Sequence, residues 1–204
     1  MVIEKELVHD LLEIQAVQIN ADNYFTWTSG VKSPIYCDNR LIMSYPQIRK
    51  KIINGFIEII NEKKWQPEVI AGCATAGIPH AAWLSGALDL PMVYVRSKPK
   101  GHGKGNQIEG KVLPGQRVLV IEDLISTGGS SIEAAKALSA EGAEVISIMA
   151  IFSYGLPKAK KNFELAGYIY DTITNFDRLL DALVETSQLT IDEKNGMIEW
   201  RNTL

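Results

Sequence analysis

The chain is poor in the residues that mark several protein classes. Of its 204 residues only two are cysteines, Cys37 and Cys73, and their spacing suits neither a metal centre nor a disulfide framework. Cys73 follows the apolar run Val69-Ile-Ala-Gly, the setting of a buried small hydrophobe at a strand end, and both thiols read as reduced and structural. Basic residues are not in excess. The 21 Lys and Arg against 24 Asp and Glu leave a net charge of −3, which argues against a nucleic-acid partner. No apolar run approaches the roughly 20 residues of a membrane-spanning helix. The opening Met1-Val-Ile-Glu-Lys-Glu lacks a basic region followed by an apolar stretch, so no signal peptide is expected and the cytoplasm is favoured. Two nucleotide-binding signatures are also missing: neither Gly-x-x-x-x-Gly-Lys-Ser/Thr nor Gly-x-Gly-x-x-Gly occurs.

What is present is an alternation. Lys5 to Ile19 places Leu7, Leu11, Ile14 and Val17 on one helical face. A turn-rich stretch from Asn20 to Arg40 carries Tyr24, Phe25, Trp27 and Tyr36. Ser44-Tyr45-Pro46 opens a helix with Ile48, Ile52, Ile53, Phe56, Ile59 and Ile60 at helical spacing. Strands are then predicted at 68–73, 91–96, 117–121 and 145–152, with helices at 79–88 and 130–138 between them. Strands that are almost wholly apolar and separated by helices indicate an α/β fold with a parallel sheet covered on both faces. An edge strand at 168–173 and a helix at 176–184 follow. Thr190-Ile-Asp-Glu193 fits a capping box opening a last short helix, although Asn195-Gly196 also suits a turn. At this length one domain, 1–204, is expected, with its core at about 45–175. A small cap would come from 1–40 and the C-terminal segment 176–204.

The most informative stretch is Val118-Leu-Val-Ile-Glu-Asp-Leu-Ile-Ser-Thr-Gly-Gly-Ser130. A buried strand ends on Glu122 and Asp123, which repel and resist desolvation unless something binds them. Ser126 to Ser130 then leads into a helix, where the N–H groups of a glycine-containing turn and the helix dipole suit a phosphate. A plain strand-to-helix turn with Ser130 as N-cap would explain the glycines, but not the acids. An anionic end beside neutral hydroxyls describes a ribose 5-phosphate, and ligands of open α/β sheets bind at the carboxyl ends of strands.

These thirteen positions resemble the signature of type I phosphoribosyltransferases. The resemblance implies a parallel-sheet phosphoribosyltransferase-type core flanked by helices. It also implies that Glu122 and Asp123 contact the ribose hydroxyls of phosphoribosyl pyrophosphate. Ser126, Thr127, Gly128, Gly129 and Ser130, reached through Leu124 and Ile125, would hold its 5-phosphate.

A second segment is Arg96-Ser-Lys-Pro-Lys-Gly-His-Gly-Lys-Gly105, with four cations among glycines. Glycines leave the backbone free to move, and clustered cations need an anion to hold them closed. Such a loop closing over pyrophosphate would stabilise charge on a leaving group, whereas the bland reading is a solvated surface loop. It resembles the loop of the orotate phosphoribosyltransferases, as Phe25-Thr-Trp-Thr-Ser-Gly-Val-Lys-Ser-Pro-Ile-Tyr36 resembles their N-terminal substrate segment and Ala74-Thr-Ala-Gly-Ile-Pro79 the loop after their first core strand. The resemblance carries pyrophosphate contact to Arg96, Lys100 and His102, partly across a homodimer interface. It makes Lys100 and His102 the catalytic candidates and gives Ser126 and Lys32 to orotate. Mg²⁺ would be held mainly by substrate and water, so no protein ligand set is expected. Lysines present in some members are replaced by Thr28, Ala76 and Ser97, and Ser153-Tyr154 stands where some carry an arginine. The expected reaction joins orotate to phosphoribosyl pyrophosphate. The alternatives are a purine-base phosphoribosyltransferase and a non-catalytic regulator of the same fold.

Overall fold

The computed structural model describes residues 2–20, 23–27, 30–98 and 107–204. Helix α1 (Val2–Glu13) buries Leu7, Val8 and Leu11. It ends at Glu13, short of the predicted Ile19, because Gln15 adopts a φ of 57° and turns the chain into β1 (Val17–Ile19). Val17 is therefore a strand residue, opposite Cys37 of β4 (Ile35–Cys37) in a two-stranded antiparallel sheet. Between them β2 (Phe25–Thr26) and β3 (Lys32–Ser33) form a short antiparallel hairpin. A 3₁₀ turn, Asn39–Ser44, is capped by Asp38, whose carboxylate accepts from the Arg40 N–H.

Helix α2 (Pro46–Glu62) begins with proline in its first turn, where a missing N–H is harmless. It buries Ile48, Ile52, Ile53, Phe56, Ile59 and Ile60 along one face. Each such side chain contributes about 1.5–3 kcal/mol relative to exposure. Strand β5 (Val69–Cys73) is buried at every position, then α3 (Gly77–Leu88) leads to β6 (Met92–Val95) and β7 (Ile108–Glu109). Strand β8 (Arg117–Ile125), α4 (Gly129–Ala140), β9 (Glu144–Ser153), α5 (Pro157–Ala166) and β10 (Tyr170–Asn175) complete the alternation. Helices α6 (Phe176–Glu185) and α7 (Ile191–Asn202) close the chain. The capping box is formed, with the Glu193 N–H donating to Thr190 Oγ1 and the Thr190 N–H donating to Glu193 Oε2, and Asn195-Gly196 lies within α7.

The sheet order is β10-β9-β8-β5-β6-β7, parallel except for β7 against β6. Strand order reverses between β5 and β8, and the crevice at their carboxyl ends is the expected ligand position. The expected third strand proves longer than 117–121. It runs to Ile125 because β9 keeps pairing with it, Glu122 opposite Ala150 and Ile125 opposite Ser153, whereas β5 stops at Cys73 after Ile121 meets Gly72. Glu122 and Asp123 thus lie inside a strand that overhangs its neighbour. The terminal segments touch: α1 packs on α2 and α6, Arg178 Nε lies 3.1 Å from the Glu4 carboxylate, and the Lys5 ammonium donates to Glu185.

Helix α3 starts at Gly77, before the predicted Pro79, and its first turn lies hard against β8. A Cβ at Gly77 would run into the Ile121 carbonyl oxygen and stand 3.2 Å from the Glu122 Cα. Gly77→Ala is accordingly expected to destabilise the protein by about 1–3 kcal/mol, read as a lower urea midpoint at unchanged slope.

Candidate active site

Successive side chains of a strand point to opposite faces, so Glu122 and Asp123 meet different neighbours. Glu122 is 6% exposed. Its Oε2 accepts from the Ser130 hydroxyl at 3.1 Å and its Oε1 from the Asp123 N–H at 3.1 Å, while the Cys73 thiol faces it from β5. Asp123 is approached by Arg40, Cys37 and Tyr154, and its backbone carbonyl accepts from Asn39 Nδ2 at 2.8 Å. The two carboxyls, adjacent along the strand, also interact electrostatically. Burial, and next the Asp123 charge, push the Glu122 carboxyl up to about 8, and burial raises Asp123 as well. At neutral pH the pair therefore retains a proton until a ligand brings hydroxyls or positive charge.

The turn after β8 is built by side chains from elsewhere. Gly128 takes a φ of 78°, and a Cβ there would strike the Phe163 ring of α5. Asn162 Nδ2 donates to the Thr127 carbonyl at 2.9 Å. Gly128 caps α4 with no side-chain cap hydrogen bond, so the alternative of Ser130 as N-cap does not hold. Ser130 lies in the first helical turn, facing Glu122. The first-turn N–H groups of α4, at the positive end of its dipole, are thus directed to the crevice without a hydroxyl cap. Leu124 and Ser126 are half-buried, and Ile125 is buried with its carbonyl accepting from the Tyr154 N–H.

Arg96 follows β6 and lines a cavity of about 170 Å³ together with Cys73, Ala74, Gly129 and Ser130. The structure thus brings Arg96 to the same cavity as the start of α4. Its guanidinium lies 3.4 Å from the Glu109 carboxylate, and its backbone exchanges hydrogen bonds with Gln107. The Ala74–Thr75 peptide at the mouth is cis. Lys100 and His102 lie outside the described residues. Lys32 is exposed in the β2–β3 hairpin and donates to Thr26 Oγ1 at 2.7 Å rather than to any part of β8. Among the described residues no cluster of His, Cys, Asp and Glu has the make-up of a metal site.

Sequence reasoning missed Asn39, Asn162 and Tyr154. The two asparagines act on backbone carbonyls that are distant in sequence, which no local pattern encodes. Tyr154 was seen only as standing where some relatives carry arginine, and its stacking on Trp27 has no sequence signal.

The raised Glu122 pKa has a thermodynamic consequence. The folded state keeps a proton that the unfolded carboxyl loses near pH 4.5. Stability from this group is full below that pH and falls as pH rises towards about 8. Glu122→Gln should flatten this decline, gaining on the wild type between pH 5 and about 8 in thermal melts.

Comparison with known proteins agrees with this geometry. Residues 44–176 match the phosphoribosyl transferase domain family. An orotate phosphoribosyltransferase of Oceanobacillus iheyensis is 61% identical, covering 98% of this chain and 99% of that protein. One of Fusobacterium nucleatum is 55% identical, covering 99% and 97%. Among solved structures, an orotate phosphoribosyltransferase from Aeropyrum pernix superposes with a TM-score of 0.77 at 26% identity, over 90% of this chain and 99% of that one. A match that spans the carboxylate strand, the phosphate-type turn and the flanking segments alike places the chain in the phosphoribosyltransferase family, among the orotate phosphoribosyltransferases.

Proposed function

We infer that this chain transfers the 5-phosphoribosyl group from phosphoribosyl pyrophosphate to orotate. The products are orotidine 5-monophosphate, a precursor of UMP, and pyrophosphate. The observation that carries this reading is the overhanging end of β8, where a buried Glu122 and a half-buried Asp123 adjoin an uncapped helix start, in a chain 61% identical to an orotate phosphoribosyltransferase.

In the reaction the bond from ribose C1 to pyrophosphate oxygen breaks, a bond from C1 to an orotate ring nitrogen forms, and the proton lost from that nitrogen passes to solvent or to the departing pyrophosphate. Glu122 and Asp123 orient the ribose through its hydroxyls, and their charge favours a cationic, oxocarbenium-like ring. The N–H groups and hydroxyls of Ser126 to Ser130 anchor the 5-phosphate. Arg96, with Lys100 and His102 from the 96–105 loop, stabilises the departing pyrophosphate, and His102 or a lysine supplies a proton where one is needed. Ser126 and Lys32 face orotate.

Hard carboxylate oxygens that keep a proton until charge arrives suit a Mg²⁺-bearing substrate. When bound with the substrate, Mg²⁺ would neutralise charge on pyrophosphate, and Glu122 and Asp123 would be the protein groups nearest to it. The active form is a homodimer in which the loop reaches the neighbouring site. Exposed Leu41, Met43 and Tyr45, just before α2, offer apolar surface for a second copy. The proposed setting is the cytoplasm; no helix among the described residues is long and apolar enough to cross a membrane.

Incubation with phosphoribosyl pyrophosphate, Mg²⁺ and orotate is expected to consume orotate absorbance. Turnover of a purine base but not orotate would overturn the acceptor assignment. Lys100→Ala is expected to lower kcat by about 100-fold while substrate KM values change little. An unaltered kcat would remove Lys100 from the transition state.

A further inference from the structure

The β2–β3 hairpin carries part of the segment assigned to the acceptor, yet it is too short to hold its own position. It has two residues in each strand, and isolated hairpins are marginal in water even when longer. Its placement must come from packing, and three aromatic side chains from distant parts of the chain supply it. Trp27, directly after β2, stacks on Tyr154 with ring centroids 4.8 Å apart and an interplanar angle of 27°. Its indole N–H donates to the Ile35 carbonyl at 2.9 Å, tying the hairpin to β4. Trp200, near the end of α7, meets Trp27 edge-on at 6.0 Å, and its indole N–H donates to the Lys32 carbonyl at 3.0 Å on the other hairpin strand.

Tyr154 joins this assembly to the ribose side. It follows β9, is 5% exposed, and its backbone N–H donates to the Ile125 carbonyl of β8. Its hydroxyl is directed to the Cys37 backbone N–H, within electrostatic reach of Asp123, and burial holds the phenol well above its usual range. The neutral phenol thus stands between the acceptor segment and the acid pair. Cations flanking the assembly are engaged elsewhere: Lys32 with Thr26, Arg40 with Asp38, and Arg201 with both oxygens of Asp177. Aromatic packing, rather than ion pairing to β8, fixes this side of the site.

We propose that Trp200, Trp27 and Tyr154 are positioning residues for the acceptor: the last helix, through Trp200, presses the hairpin onto Tyr154 and so sets where the acceptor lies relative to Glu122 and Asp123. The proposal rests on the phosphoribosyl-transfer reading. It separates the two substrates, because the ribose side is pinned independently by β8–β9 pairing, by Asn39 on the Asp123 carbonyl and by Ser130 on Glu122. Loosening the hairpin should disturb acceptor binding and leave phosphoribosyl pyrophosphate binding in place.

The test uses the full chain, varying orotate at saturating phosphoribosyl pyrophosphate and the reverse. Trp27→Leu and Trp200→Leu are expected to raise KM for orotate about tenfold, the equivalent of one lost aromatic contact, and KM for phosphoribosyl pyrophosphate less than about twofold. Trp200→Phe, which keeps a ring, should recover most of the loss. A merely structural role would lower the active fraction, and hence kcat, with both KM values unchanged. Amide hydrogen exchange provides a second readout on any variant of reduced stability. Trp200→Leu should speed exchange over 25–33 but not over 118–125. Equal changes in both KM values, or unaltered exchange over 25–33, would overturn the proposal. A wild-type enzyme that ignores orotate defeats the acceptor assignment instead, and the same KM comparison is then made with the base it does turn over.

Discussion

Two neighbouring carboxylates, Glu122 buried and Asp123 half-buried, at the overhanging end of one strand are the constraint on which the rest of this protein depends. Ionising both in a low-dielectric crevice is unfavourable, and Glu122 accordingly keeps its proton up to about pH 8. The pair is held by partners: Ser130 and the Asp123 N–H donate to the two Glu122 oxygens, and Asn39 donates to the Asp123 backbone carbonyl. That arrangement requires β8 to outrun β5 while staying paired to β9. It also requires α3 to begin with a residue that has no Cβ, since Gly77 lies against the Ile121 carbonyl. The strand, its neighbours and the first turns of two helices are thus fitted around a carboxylate pair that is unfavourable until a ligand brings hydroxyls or positive charge.

Around this point the site divides into a rigid half and an appended half. The phosphate side stands on β8, α4 and α5, where Asn162 and Phe163 hold the turn through backbone contacts. Its donors are backbone N–H groups, which need no side-chain ordering when the ligand binds. The hairpin proposed for the acceptor has two residues in each strand and rests on aromatic rings from distant parts of the chain. Elements held by few contacts open at lower free energy than core strands. Under the proposed assignment the exchangeable base meets the looser half and the sugar phosphate the tighter one, so that the acceptor enters and the product leaves without disturbing the anchor.

The elements legible in the sequence were those whose period is set by burial. Helix α2 shows its buried isoleucines and Phe56 at helical spacing, and the apolar strands β5, β8 and β9 could only be internal strands of a covered sheet. The capping box of α7 also declared itself, because Thr190 and Glu193 act within one turn. Boundaries failed where a non-local partner decided them. Nothing near Ile121 says that β9 will carry β8 four residues further, and the apolar spacing through Val17 cannot show that Gln15 breaks the helix.

The sequence by itself determined the alternating fold, the acid pair, the glycine-containing turn and the cation-rich residue pattern at 96–105, because each is a local pattern of residue type and order. Only the tertiary structure decided that Glu122 and Asp123 overhang β5, and that Ser130 serves a carboxylate instead of capping a helix. It likewise decided that Trp27, Tyr154 and Trp200, drawn from three separate regions of the chain, meet at one wall of the site. Those facts depend on contacts between residues far apart along the chain. Such contacts are chosen by the packing of whole elements, which no window of sequence contains.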